Sequence, residues 1–143
     1  MNSPLTASAF LPHRAPFLLV DRLLECDQHF CRTDFTVPAE HPMVRDGRLG
    51  EGGIMENIAQ TCATHIGYLS RHLPIRIGVV ASVKNMSILS LPKMGSLLET
   101  TVEEQGEPIF SVSIYEAKVF SEGVLVAQGE MRVVLTDHTP TEQ

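Results

Sequence analysis

The 143-residue chain has no tryptophan, only two tyrosines and six phenylalanines. Basic residues are also scarce: 11 Lys and Arg against 17 Asp and Glu leave a net charge of −6, which argues against nucleic acid or an anionic membrane as a partner. Three cysteines, an odd number, form no disulfide framework and suit a reducing compartment. No run approaches the ~20 apolar residues of a membrane span, and the N-terminus lacks the basic start and apolar stretch of a signal peptide. A cytoplasmic protein is expected. Also missing are a Gly-x-Ser-x-Gly elbow, which removes the commonest serine-hydrolase route, and any phosphate-cradling glycine motif, since Gly50-Glu51-Gly52-Gly53 has neither the Lys of a P-loop nor the strand of a dinucleotide site.

What is present is a 43% apolar chain of the size of one domain, with prolines and glycines scattered rather than clustered. One domain spanning 1–143 is expected, with a core from about residue 9 to 136. The first eight residues and the last seven, Asp137 to Gln143, carry too little apolar surface to pack.

Phe17 to Glu25 reads as an apolar first strand, its leucine content leaving a short helix open at the start. In Phe30 to Val37, Cys31, Thr33, Phe35 and Val37 alternate with Arg32, Asp34 and Thr36, the period of a half-buried strand, with Asp27 to His29 at the turn. Glu40 to Gly53 reads as a loop. From Met55 the period changes: Ile58, Ala59, Cys62, Ile66 and Leu69 follow at helical spacing, predicting a helix to about His72 before Pro74. Ile75 to Leu91, Ser96 to Glu104, Pro108 to Phe120 and Val124 to Leu135 read as four strands. In the last, Gln128, Glu130 and Arg132 face water while Ala127, Gly129, Met131 and Val133 face the core. Two strands, a helix, then four strands is an α+β order, satisfied by an antiparallel sheet curled around a central helix.

That helix carries the functional argument. Between Ile54 and Ser70 its only charged side chain is Glu56, whereas a helix with one wet face carries several charges, so enclosure on most sides is predicted. A lone carboxylate there is partly desolvated and suited to holding a proton; it equally complements the positive end of the helix dipole. The helix alone leaves these readings level, and the preceding loop favours chemistry. It carries His41, fifteen residues before Glu56, an imidazole able to act as a base, and Gly52 and Gly53, whose N–H groups are placed to hold a polarised carbonyl oxygen. His41 by itself is an ordinary surface residue, and the glycines by themselves an ordinary turn.

Other candidates carry less. Cys26, His29 and Cys31 lack a fourth ligand at suitable spacing, so no metal is assigned. Cys62 falls on the apolar helix face, and His65 and His72 lie late in or beyond the helix, where structural roles are expected.

Leu11-Pro12-His13-Arg14-Ala15-Pro16-Phe17-Leu18-Leu19-Val20-Asp21-Arg22 resembles the opening signature of the 3-hydroxyacyl-[acyl-carrier-protein] dehydratases. Glu56-Asn57-Ile58-Ala59-Gln60 resembles the start of their central helix, and Val80 to Gly95, with Lys84, Pro92 and Gly95, the strand and turn that follow. The resemblance spans Leu11 to about Leu135 and implies the hot-dog fold and a cofactor-free dehydration. His41 would remove the C2 proton, Glu56 would help the 3-hydroxyl leave as water, and Gly52, Gly53 and Gln60 would bind substrate. It also implies a homodimer or a trimer of dimers whose two catalytic side chains come from different subunits. Where the family has Gly-His-Phe-Pro-Gly and then Met-Pro-Gly, this chain has Ala39-Glu40-His41-Pro42-Met43-Val44 and Gly50-Glu51-Gly52-Gly53, with His41 about one residue out of register. A divergent branch is indicated, similar to dehydratases of aryl polyene pigment or other secondary lipid pathways.

Two other functions fit. Hot-dog thioesterases also place an acid on the central helix, and a catalytically silent subunit of a dehydratase complex would keep the fold without turnover. An acidic acyl carrier protein, the partner implied by the resemblance, would need a basic patch, for which Arg71, Arg76, Lys84 and Lys93 are candidates.

Overall fold

A computed structural model describes residues 3–136. A short strand β1 (Leu5–Thr6) and a 3-10 turn (Ala7–Phe10) lead to β2 (Arg22–Cys26) and β3 (Phe30–Thr36). A small hairpin, β4 (Val44–Arg45) and β5 (Arg48–Leu49), precedes helix α1 (Glu51–Leu69), and β6 (Gly78–Ile88), β7 (Leu97–Glu104), β8 (Val112–Ser121) and β9 (Val124–Leu135) complete the described chain. Seven strands form one antiparallel sheet in the order β1-β2-β3-β7-β8-β9-β6, with α1 packed against it. This is the α+β hot-dog arrangement expected.

The core lies between helix and sheet. Ile54, Ile58 and Cys62 of α1 are fully buried against Cys31, Phe35, Leu98, Val102, Tyr115 and Met131, all at most 3% exposed. Alternation does the sorting: in β9 Ala127, Gly129, Met131 and Val133 are buried, and Gln128, Glu130 and Arg132 are not. The other face of α1 is polar but equally enclosed, and only Glu51, Gly52 and Leu69 of the helix are exposed. Its uncharged groups are hydrogen-bonded inside. The Thr61 hydroxyl donates to the Asn57 carbonyl and lies 2.8 Å from that of Thr33, and the Thr100 hydroxyl donates to Asn57 Oδ1.

Several elements depart from expectation. The first strand begins at Arg22 rather than Phe17. Phe17 to Leu19 instead runs over the helix, held by two side-chain amides: Asn57 Nδ2 donates to the Leu19 carbonyl, Gln60 Nε2 to that of Phe17, and the Leu19 N–H donates to Gln60 Oε1. Those bonds satisfy the backbone without a sheet neighbour. Packing begins before residue 9, because Leu5 and Thr6 pair with Leu23 and Arg22, and Ala7 is fully buried. The region read as loop contains the β4–β5 hairpin, whose turn, Asp46-Gly47, has φ of 54° and 75°, the Asp-Gly chemistry of a tight two-residue hairpin. The helix starts at Glu51, so Gly52 and Gly53 belong to its first turn. β8 starts at Val112, because Phe110 and Ser111 sit at φ of 51° and 64° in a turn closed between Ile109 and Val112. The tail from Asp137 to Gln143 lies outside the described residues.

Candidate functional site

The Asp21-Arg22 end of the opening signature serves the fold. Arg22 forms an ion pair with Asp34, which is 3% exposed, and the Thr36 N–H donates to Asp21 Oδ2 at 2.8 Å. Together these fasten β2 to β3. Burial pushes the Asp21 carboxyl above its usual range, opposed by the Thr36 N–H.

The His13 end of the same signature lies elsewhere. His13 Nε2 stands 3.8 Å from Glu56 Oε1, and Gln60 Nε2 donates to that oxygen at 3.0 Å. The three line a cavity of about 260 Å³ with Ala59, Val79, Val80 and Val133. Glu56 keeps 41% of its side chain accessible in the single chain, and His13 keeps 30%. His13 Nδ1, by contrast, is buried without a hydrogen-bond partner. Burial pushes the His13 pKa down and Arg14 acts in the same direction, while the Glu56 carboxylate raises it.

Gln60, expected to bind substrate, is 1% exposed and uses both ends of its amide within the chain, so it braces Glu56 against the Phe17 to Leu19 segment. Gly53 is buried, and a Cβ there would press into the Leu49 side chain, which would have to shift for the hairpin to close on the helix start. Gly52 is exposed. The helix has Gly50 at its N-cap with no side-chain cap, and its first internal bond runs from the Ile54 N–H to the Gly50 carbonyl, leaving the N–H groups of the first turn outside the helical ladder.

His41 sits beside that turn, but the single chain does not join it to Glu56. Its Nδ1 accepts from the Met43 N–H at 3.0 Å, its ring meets Phe35 edge to face, and its Nε2 is buried without a partner. An accepting Nδ1 leaves the proton of the neutral ring on Nε2. The sequence reading missed His13, whose only signal was membership of the opening signature.

A second cavity of about 400 Å³ lies at the other end of the helix, lined by Phe10, Ile66, Leu73, Tyr115 and Leu135 among others. Ala63 and Gly78 belong to the walls of both cavities. At this end His65 is fully buried. Its Nε2 donates to the Asp27 carbonyl at 3.0 Å, so its Nδ1 accepts from the Tyr115 hydroxyl at 2.8 Å. Burial lowers the His65 pKa and raises that of Tyr115, holding both neutral.

The four cations proposed for a carrier protein divide. Arg71 and Arg76 line the larger cavity, Arg71 stacking on the Tyr68 ring at 4.2 Å; the Lys93 backbone pairs with that of Arg48 in the small hairpin, and Lys84 lies on β6 opposite Glu130.

Residues 5–142 match the sequence profile of the ApeP-like family, described as ApeP dehydratase. No curated protein matches the chain. Among solved structures, the dehydratase heterocomplex ApeI:P from Xenorhabdus doucetiae superposes with a TM-score of 0.84 at 18% identity, covering 93% of this chain and 92% of that one. Cj0977, a sigma28-regulated virulence protein of Campylobacter jejuni, gives 0.73 at 16%, covering 92% and 86%. A hypothetical thioesterase with coenzyme A from Streptococcus pneumoniae gives 0.63 at 12%, covering 82% and 87%. At these identities the structural likeness establishes the hot-dog fold.

Proposed function

The chain belongs to the ApeP-like dehydratase family, and from that premise we propose that it removes water from a 3-hydroxyacyl thioester, carried by an acyl carrier protein in the cytoplasm, to give the trans-2-enoyl thioester. The observation that carries this reading is Glu56, a single carboxylate on an otherwise uncharged stretch of enclosed helix, braced by Gln60 at the mouth of a small cavity. The C2–H bond breaks, its electrons form the C2=C3 double bond, and the C3–O bond breaks as Glu56 protonates the departing hydroxyl. The first-turn N–H groups at Gly52 and Gly53 are the donors we assign to the thioester oxygen, where negative charge builds as the C2 proton leaves. The acyl chain runs past Ala63 and Gly78 toward the larger cavity.

His41 is the group we assign to the C2 proton, acting from a second subunit. Its Nε2 carries the ring proton in the single chain, so this role requires Nδ1 to release the Met43 N–H and take the proton instead. The second subunit docks on β6. That 11-residue strand ends the sheet with Val79, Val80 and Val83 at 50%, 41% and 37% exposure, a long apolar edge that soluble chains rarely leave open. Val79 and Val80 also wall the Glu56 cavity, so a copy bound there would close the site.

Carrier-bound 3-hydroxyacyl substrates of several lengths, followed by mass spectrometry, test the reading. Wild type is expected to produce the loss of water, and Glu56→Gln and His41→Ala to abolish it. Release of free thiol from saturated acyl thioesters would instead mark a thioesterase. ApeI:P is a dehydratase heterocomplex, and the likeness to it favours one further reading, in which the base comes from a different hot-dog subunit. In that case His41→Ala retains activity in the assembled complex, and a silent chain is one whose Glu56→Gln variant changes nothing there.

A further inference from the structure

Glutamic acid in water is almost wholly ionised at neutral pH, so an acid role for Glu56 needs a source for its proton. His13 faces it across the cavity, Nε2 to Oε1 at 3.8 Å, too far for a direct hydrogen bond and close enough for a small rotation or one water to connect them. The far side of the ring is buried and partnerless at Nδ1. A proton exchanged by the two therefore moves between Nε2 and Oε1, and when it sits on Glu56 the neutral ring keeps its remaining proton on Nδ1.

Among the described residues, little else charged acts on the pair. The wall presented by α1, β6 and β9 is uncharged, with Ala59, Gln60, Val79, Val80 and Val133, so Glu56 is the titratable group that faces His13 from it. From His13's own segment Arg14 contributes a positive charge, with its guanidinium donating to the carbonyls of Ser8, Leu11 and His13.

We propose that His13 and Glu56 share one proton, His13 being a positioning residue that keeps Glu56 charged with it. This rests on the reading of Glu56 as the acid. The proton resides either on the imidazole beside a carboxylate or on the carboxyl beside a neutral imidazole. A carboxylate next to the ring raises the pair's affinity for the proton above that of a lone glutamate, and burial of the ring keeps the proton from being locked on the histidine. When the C3–O bond breaks, the proton passes from Glu56 to the departing oxygen. The pair stays empty until the proton taken from C2 returns to it.

Two measurements on the full chain test this. In a nitrogen-15 NMR titration, the His13 imidazole is expected to titrate at lower pH in Glu56→Gln than in wild type, because the supporting carboxylate is gone. In pH profiles of kcat/KM, the alkaline limb is expected to move to lower pH by about one unit or more in His13→Gln, so that activity near pH 8 falls about tenfold while the acid side keeps most of it. A His13 titration unmoved by Glu56→Gln overturns the sharing, whether or not the chain turns over substrate. A His13→Gln profile lowered equally at every pH overturns the charging role. If the titration moves but wild type dehydrates nothing, the shared proton stands and the dehydratase reading falls.

Discussion

Helix α1 carries a histidine contact near each end, and the two differ in one respect. At the C-terminal end every ring nitrogen of His65 is occupied, by the Tyr115 hydroxyl and the Asp27 carbonyl, with no exposure to solvent. Near the N-terminal end His13 has a buried nitrogen with no partner, and Glu56 beside it keeps two-fifths of its side chain accessible. A closed network stabilises a fold and leaves no hydrogen bond to offer, whereas an accessible carboxylate at a cavity wall is what a reacting molecule can engage. Similar residue types thus close a network at one end and leave one open at the other.

The sharpest way to break this contrast is to substitute one member at each end. Glu56→Gln keeps an oxygen able to accept from Gln60, so the melting temperature is expected to stay within a degree or so while kcat falls by about 10²–10⁴. A matching loss of stability in thermal melts would mean that the open end is structural after all. Gly67→Ala tests whether the His13 segment depends on its seat. A Cβ at Gly67 would lie 2.2 Å from the Phe10 carbonyl oxygen, so the 3-10 turn that leads into His13 must shift. A destabilisation of about 1–3 kcal/mol in chemical denaturation is expected, together with a fall in activity, because the displaced segment carries His13 away from Glu56.

The fold was legible where one physical pattern dominated. The 3.6-residue period of Ile58, Cys62 and Ile66 and the alternation of β3 and β9 announced buried faces, and the missing charges on α1 announced its enclosure. Phe17 to Leu19 was misread because an apolar run bonded to side-chain amides looks, in sequence, like one bonded to a neighbouring strand. Asp46-Gly47 was a readable hairpin signal lost inside a glycine-rich stretch. Glu56 stood out by isolation. His13 could not, since it lies 43 residues away and meets Glu56 only because Asn57 and Gln60 draw the intervening segment across the helix.

At the closed end, Tyr115→Phe removes the hydroxyl and leaves His65 Nδ1 as a buried acceptor with nothing to accept. A loss of about 1–3 kcal/mol in denaturant melts is expected, with kcat for any accepted substrate changed far less than by Glu56→Gln. A variant as stable as wild type would show that the network can be opened without consequence, and the contrast between the two ends would lose its structural half.

The smallest expected effect is the dependence of stability on pH. His65 is held neutral in the folded chain, its pKa depressed by burial below the ordinary 6.5. As pH falls through about 6.5 the unfolded chain binds a proton there that the folded chain refuses, so stability decreases on acidification, by at most about 1.4 kcal/mol per pH unit for this group. The decrease stops only below the folded pKa, where the native ring also protonates. His13, depressed in the same direction, adds a second contribution of the same sign, offset in part by the Glu56 carboxylate. Denaturant melts between about pH 7.5 and 5.5 on wild type and Glu56→Gln separate the two histidines, because losing the carboxylate steepens the decline due to His13 and leaves that of His65 untouched. Parallel curves for the two proteins would place the whole slope at the closed end and detach His13 from Glu56.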